Sequence, residues 1–342
     1  MQKLEINGGE ETPHYLEREV IQTAATLQRL SARAKFPEHS MEEDQFTNEL
    51  GSEMVSAARQ GVSKTRQLYR GSENMGKGII GTLAETIPLL GNTLGFFGKD
   101  RDGRDIEVKI YATAPSEDLG PPYADLIFEI KNVLPDDMGK KINPKSVTRF
   151  LVDVTTETIR AVEEKVDRAE ENFKRGKLHD LRFFRPSGNP LAKVGVPNAP
   201  NLILSIDQEE MINFLREVRP YVDAERGAII NKEKFEARYH DFAEDLRETL
   251  YTQAIEQTIT FVAIMDEQKI VSTNDCKMIE DLMTTHMIAD AYKAIEGLIR
   301  KIENSNDLGQ GNKNKTLSYL GSLKNLAEAA LSLAIVAVRK NK

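Results

Sequence analysis

Several short stretches of this chain carry residue types that could do chemistry. Gly71-Ser-Glu-Asn-Met-Gly76-Lys77-Gly78 matches the first seven positions of a phosphate-cradling GxxxxGK loop. In that loop backbone N–H groups hold phosphate oxygens, and a Ser or Thr after the Lys holds magnesium. Here Gly78 stands in the hydroxyl position, and the charged stretch Ser63–Arg70 precedes the loop where a buried strand is needed. A helix–helix linker accounts for the glycines better. His179-Asp180 and His240-Asp241 are His-Asp pairs of the kind metal phosphohydrolases use, with His286 as a paper recruit. His240 sits among the apolar positions of a helical pattern and His179 in a basic turn, so chance pairing on a charged chain is the simpler reading. Glu11-Thr-Pro-His14 is a single Glu-x-x-His, not the repeated pair of di-iron bundles. Asp100-Arg-Asp102-Gly103 begins like a calcium loop but lacks its later ligands. The one cysteine, Cys276, excludes an internal disulfide and any multi-cysteine zinc site. No catalytic, cofactor-binding or metal-ligating residue is therefore nominated, and no cofactor is expected.

These stretches sit in a chain of 342 residues, 40% hydrophobic and 29% charged, without tryptophan. That composition suits helix-on-helix packing by aliphatic side chains. The net charge of −8, with acidic and basic residues mixed, leaves no basic block to track a phosphate backbone, so nucleic acid is not an expected partner. The N-terminus lacks the basic-then-apolar pattern of a signal peptide, and no apolar run is long enough to span a bilayer. The expectation is a protein made in the cytoplasm, any export using a route without a cleaved signal peptide.

The periodicities divide the chain into four regions: 1–98, 99–206, 207–304 and 305–342. Leu16, Val20, Ile21, Ala24, Leu27 and Leu30 predict a first helix that ends at Phe36-Pro37. Phe46, Leu50, Met54 and Ala57 predict a second over 41–69. Within 78–98, Ile80, Leu83, Ile87, Leu90, Leu94 and Phe97 form one apolar helix face in a glycine-rich segment. Each interior glycine costs about 0.5–1 kcal/mol against Ala, so something outside the helix must compensate. These six residues are the candidate partner-binding or membrane-contacting face; tight packing on a neighbouring helix is the competing reading.

The period then changes. Ile106, Val108, Ile110 and Ala112 predict a strand, as do Leu126, Phe128 and Ile130. Asn143-Pro144 predicts a helix over 144–175, with Ile159, Val162, Val166, Ala169 and Phe173 along its seam. Leu202–Ile206 predicts a short strand. Asp207 and Glu210 make a capping box for a helix to about Tyr221. From Asn231 to about Asn304 the pattern is almost continuously helical; the capping box at Ser272–Asp275 marks a candidate break, which leaves two helices or one kinked helix as the alternatives. A polar linker follows to Lys315, then a helix over Thr316–Val338 whose apolar end is expected to dock on the bundle. The fold class is mainly α (α+β): an elongated helical bundle or coiled-coil stalk with a small inserted α/β module.

Gly98-Lys99-Asp100, Asp102-Gly103 and the strand Ile106–Ile110 form one junction; Leu204-Ser-Ile206-Asp207, then Asn231–Ala237 and Phe242, form a second. Across about residues 91–250 this order resembles the needle-tip proteins of type III secretion systems. The chain has no Trp after the second junction, where that family carries one, and it adds a linker and a further helix. The resemblance implies a non-enzymatic assembly protein that associates with itself or with protein partners, a tip-like component of a secretion or injection apparatus. A helical membrane-active protein, such as a pore-forming toxin or lipid-binding effector, is the alternative; a nucleotide- or metal-dependent enzyme using Gly71–Gly78 or the His-Asp pairs is the third.

Overall fold

The computed structural model describes residues 18–35, 80–81, 83–94, 106–112, 124–131, 135–136, 141–142, 147–156, 159–178, 201–305 and 309–336. The second predicted helix, the GxxxxGK-like loop, His179-Asp180, the Asp100 turn, Glu11–His14 and Phe97 lie outside these residues. The described chain is mainly helical around a small mixed sheet, as the periodicities predict.

Helix α1, Arg18–Lys35, buries Val20, Ala24 and Leu27. Thr23 and Thr26 donate their hydroxyls to the carbonyls four residues back, which lets polar side chains sit on a buried face. A turn of 3-10 helix at Ile87–Leu89, with Pro88 where no N–H is needed, leads into α2, Leu90–Leu94. Strands β1 (Val108–Ala112), β2 (Leu126–Lys131) and β5 (Val147–Thr155) form an antiparallel run, and β6 (Asn201–Ser205) adds parallel to β5, in the order β1-β2-β5-β6. Two short ribbons, β3–β4 (Pro135–Asp136, Lys141–Ile142) and β7–β8 (Val222–Asp223, Ala228–Ile229), lie outside that sheet.

Helix α3, Ile159–Lys174, makes the crossover between the parallel strands β5 and β6. It ends at Gly176, whose φ of 65° and N–H to the carbonyl of Phe173 close the last turn in the left-handed form glycine tolerates. Helix α4, Gln208–Val218, starts where the capping box places it: the Asp207 carboxylate accepts the N–H groups of Glu209 and Glu210 at 2.7 and 3.1 Å. Helix α5, Lys232–Glu267, is followed by α6 (Thr273–Thr284), α7 (Ile288–Glu303) and α8 (Gln310–Val336).

Three predictions need correction. The helix over 144–175 begins only at Ile159, because Val147–Thr155 is a strand. Five of its nine residues are Val or Thr, whose branched Cβ suits a pleated surface, and tertiary pairing to β2 and β6 completes the preference. The helical stretch 231–304 is three helices. Ser272 caps the break as predicted, accepting the N–H of Asp275 at 3.2 Å, while a second break at His286, φ 57°, carries no glycine or proline to announce it. The last helix starts at Gln310, so much of the polar linker is its exposed first turns.

One apolar core joins all these parts, from Val20 in α1 to Ala334 in α8. Helices α5 and α8 pack on each other, α8 also lies on β5, and α5 on β6. Phe173 of α3 stacks on Phe261 of α5, ring centroids 3.8 Å apart, and meets the Tyr319 ring of α8 edge-on at 4.9 Å. Side-chain amides cap part of each edge of the sheet. At β1, Asn92 of α2 accepts the N–H of Ile110 at 2.9 Å and donates to its carbonyl at 2.6 Å. At β6, Gln253 of α5 accepts the N–H of Ile203 at 2.6 Å, and Gln257 donates to the carbonyl of Asn201 at 3.2 Å. A carboxamide offers the same donor and acceptor as a peptide group, so each supplies part of a missing strand neighbour.

The α8–β5 contact contains a half-buried carboxylate. Glu328 accepts the Thr148 hydroxyl at 3.1 Å, and Ser332 donates to the same hydroxyl at 3.0 Å. Burial, aided by the Glu296 charge and opposed by Thr148 and Lys324, pushes the Glu328 carboxyl above its ordinary range. Lys324, one turn earlier, is committed to Glu296 of α7 at 2.9 Å. A carboxyl whose pKa is raised on folding contributes stability below its unfolded pKa and loses it as pH rises through the folded value. Glu328→Gln, which keeps an acceptor for Thr148, is therefore expected to melt higher than the parent at neutral pH. The gap closes as pH falls through the ordinary glutamate range. Thermal melts across that range check this; a gap that is flat or widens on acidification refutes it.

Candidate partner-binding groove

Helix α5 passes over the outer side of β6, and α3 packs beside both. Because α5 repeats every 3.6 residues, Asp245, Glu248, Thr249, Thr252, Gln253 and Glu256 form one stripe along it. That stripe lines a groove of about 460 Å³, closed on its other sides by Val162 of α3 and by Ile203 and Ser205 of β6. The apolar floor is Val162 and Ile203; the walls are carboxylates and hydroxyls. A second opening of about 250 Å³ continues past Val162 and Ser205 to Glu163, Val166 and Asp167 on α3.

Among the described residues, no Lys, Arg or His lines either opening. The carboxylates extend beyond the lip. Glu210 at the start of α4 has its pKa raised, first by partial burial and then by the Asp207 and Asp245 carboxylates. Raised pKa by like charge is the local mark of a negative potential. The groove can hold cationic groups by charge and hydrogen bonds, with an apolar floor for aliphatic stems.

Five of the six residues nominated from sequence are described, and they lie elsewhere. Ile80, Leu83, Ile87 and Leu90 are at most 3% exposed, and Leu94 is half-buried against the same core. The described part of this face is packed into the core in this fold: α1 covers it, with Val20, Ala24 and Leu27 fully buried nearby, and Tyr239 of α5 donates its hydroxyl to the carbonyl of Ile87 at 3.0 Å. Gly81 lies beside Thr156, whose hydroxyl would stand in ordinary contact, 3.6 Å, with an added Cβ. Among the described residues no helix is long and apolar enough to cross a membrane.

Of the remaining candidate groups, His240, His286 and Cys276 lie among the described residues. His240 faces Glu244 of its own helix at 3.3 Å, and His286 meets the Tyr251 hydroxyl at 3.1 Å. Among the described residues, no group of three or more His, Cys, Asp or Glu is placed to hold a metal ion. Cys276 is buried, and burial together with the Asp266 and Asp275 charges pushes its thiol up to about 11, so it is protonated at neutral pH.

Sequence reasoning did not find the groove. The polar stripe of α5 is visible in the sequence, but every surface helix has one. What distinguishes this stripe is that α3 and β6 come up beside it. Comparison with protein-family models, with curated proteins and with solved structures finds no match to this chain.

Proposed function

We propose that this protein works by association, not catalysis: it is a helical binding and assembly protein that takes a basic segment of a protein partner into the acidic groove between α3, β6 and α5. The observation that carries this reading is the lining of that groove, where three carboxylates, Asp245, Glu248 and Glu256, surround an apolar floor and the described lining residues include no cationic side chain. The chain's net charge of −8 adds long-range attraction for a cationic partner. A tip-like role in a secretion or injection apparatus is the specific form this reading takes under the resemblance across residues 91–250.

The test uses a fluorescein-labelled octapeptide of alternating Lys and Val, with an alternating Glu and Val peptide as control. Anisotropy titration is expected to show binding of the cationic peptide alone, weakening as salt rises. The triple variant Asp245→Asn, Glu248→Gln, Glu256→Gln, which preserves side-chain size, is expected to lose at least about tenfold in affinity, a modest share of what close charge pairs supply at interfaces. Equal affinity in the triple variant, or equal binding of the acidic peptide, removes the groove from the function.

A further inference from the structure

The groove has a second property that charge alone does not use. The N–H of Ile206 donates to the carbonyl of Thr155 at 2.8 Å, so the even-numbered residues of this strand turn their backbone groups toward β5. The odd-numbered residues turn theirs the other way. Two of those outward groups, the N–H of Ile203 and the carbonyl of Asn201, are held by Gln253 and Gln257. The next two, the carbonyl of Ile203 and the N–H of Ser205, belong to residues that line the groove. Among the described residues, the amide caps on this edge reach the Asn201 carbonyl and the Ile203 N–H and go no further along the strand.

We propose that the basic segment binds extended, as a short parallel strand against β6. In a parallel pair, one residue of the added strand donates its N–H to one carbonyl and accepts from the N–H two residues further on. The carbonyl of Ile203 and the N–H of Ser205 have that spacing. Thr155 of β5 accepts from Ile206 on the opposite edge in the same manner. Parallel addition leaves the Gln253 bond to Ile203 N–H in place. Alternate side chains of the guest then point to opposite sides of its strand, so cations on one side reach the carboxylates of α5 while small apolar groups on the other meet Val162. Backbone pairing sets the extended conformation and charge selects the sequence.

This inference rests on the groove reading, and the experiment separates the two. The alternating Lys and Val octapeptide is compared with two versions N-methylated at alternate backbone amides, one on the Val set and one on the Lys set. Methylation removes donors without changing charge. Strand addition predicts that one set or the other loses at least tenfold in affinity, and that amide exchange at Ser205 slows when the unmethylated peptide is added. Equal affinity for all three peptides with unchanged exchange at Ser205 overturns strand addition and leaves the acidic groove as an electrostatic site. Failure of every cationic peptide to bind overturns both.

Discussion

Replacing Phe173 with Ala is expected to destabilise the protein by about 3–5 kcal/mol, the usual cost of removing a fully buried aromatic ring. The ring is 1% exposed and lies at the meeting of α3, α5 and α8. It stacks on Phe261 and takes the Tyr319 ring edge-on, so its loss opens a cavity that three separate helices would have to move to fill. Collapse is hindered on the α8 side, because Tyr319 also donates toward the carbonyl of Lys174 at 3.4 Å and packs over Gly176. Denaturant unfolding measures the effect. Phe173→Leu, which refills most of the volume, is expected to lose clearly less. A cost for Phe173→Ala under about 1 kcal/mol, the size typical of a surface change, would show that these helices do not share a packed core. The groove wall carried by α3 depends on the same docking, so the peptide affinity of Phe173→Ala should fall in parallel with its folded fraction.

Leu83→Ala is expected to cost about 2–5 kcal/mol, as for any fully enclosed leucine. Leu83 is 0% exposed, on the face that sequence alone marks as a candidate membrane or partner surface. Were that face free to leave the bundle, the same substitution would change stability by a few tenths of a kcal/mol at most. Gly81→Ala supplies the opposite sign. Among the described residues, an added Cβ meets only the Thr156 hydroxyl at 3.6 Å, an ordinary contact, so the helix gains up to about 1 kcal/mol from the lost flexibility of the unfolded chain. Thermal unfolding of both variants decides the matter: a neutral Leu83→Ala would return this segment to the surface.

Much of the local structure was legible. The Asp207 cap, the Ser272 cap, the strands at Val108–Ala112 and Leu126–Lys131 and the seam of α3 all follow from side-chain chemistry acting within a few residues. Such signals survive in sequence because the atoms that satisfy them are close in the chain. The misreading of Val147–Thr155 has the converse cause. Asn143-Pro144 is a strong local helix signal, but the state of Val147–Thr155 is decided by partners at Leu126–Lys131 and Asn201–Ser205. The break at His286 was equally hidden, since only the return of α7 onto α8 and the hydroxyl of Tyr251 explain a left-handed histidine there.

The sequence by itself determined that this is a mainly helical chain with one mixed strand-and-helix insertion, where α1 and α4 begin and end, and which residues along the helical stretches are apolar. Those properties arise from periodicity and capping, which are local. The tertiary structure alone decided what each face meets. It set α1 over Ile80–Leu90 and so turned a candidate surface into core. It brought Asn92, Gln253 and Gln257 to the sheet edges, and it laid the acidic stripe of α5 beside β6 and α3 to make a groove. Burial and charge concentration are properties of neighbours in space, and the neighbours here are separated by tens of residues in sequence.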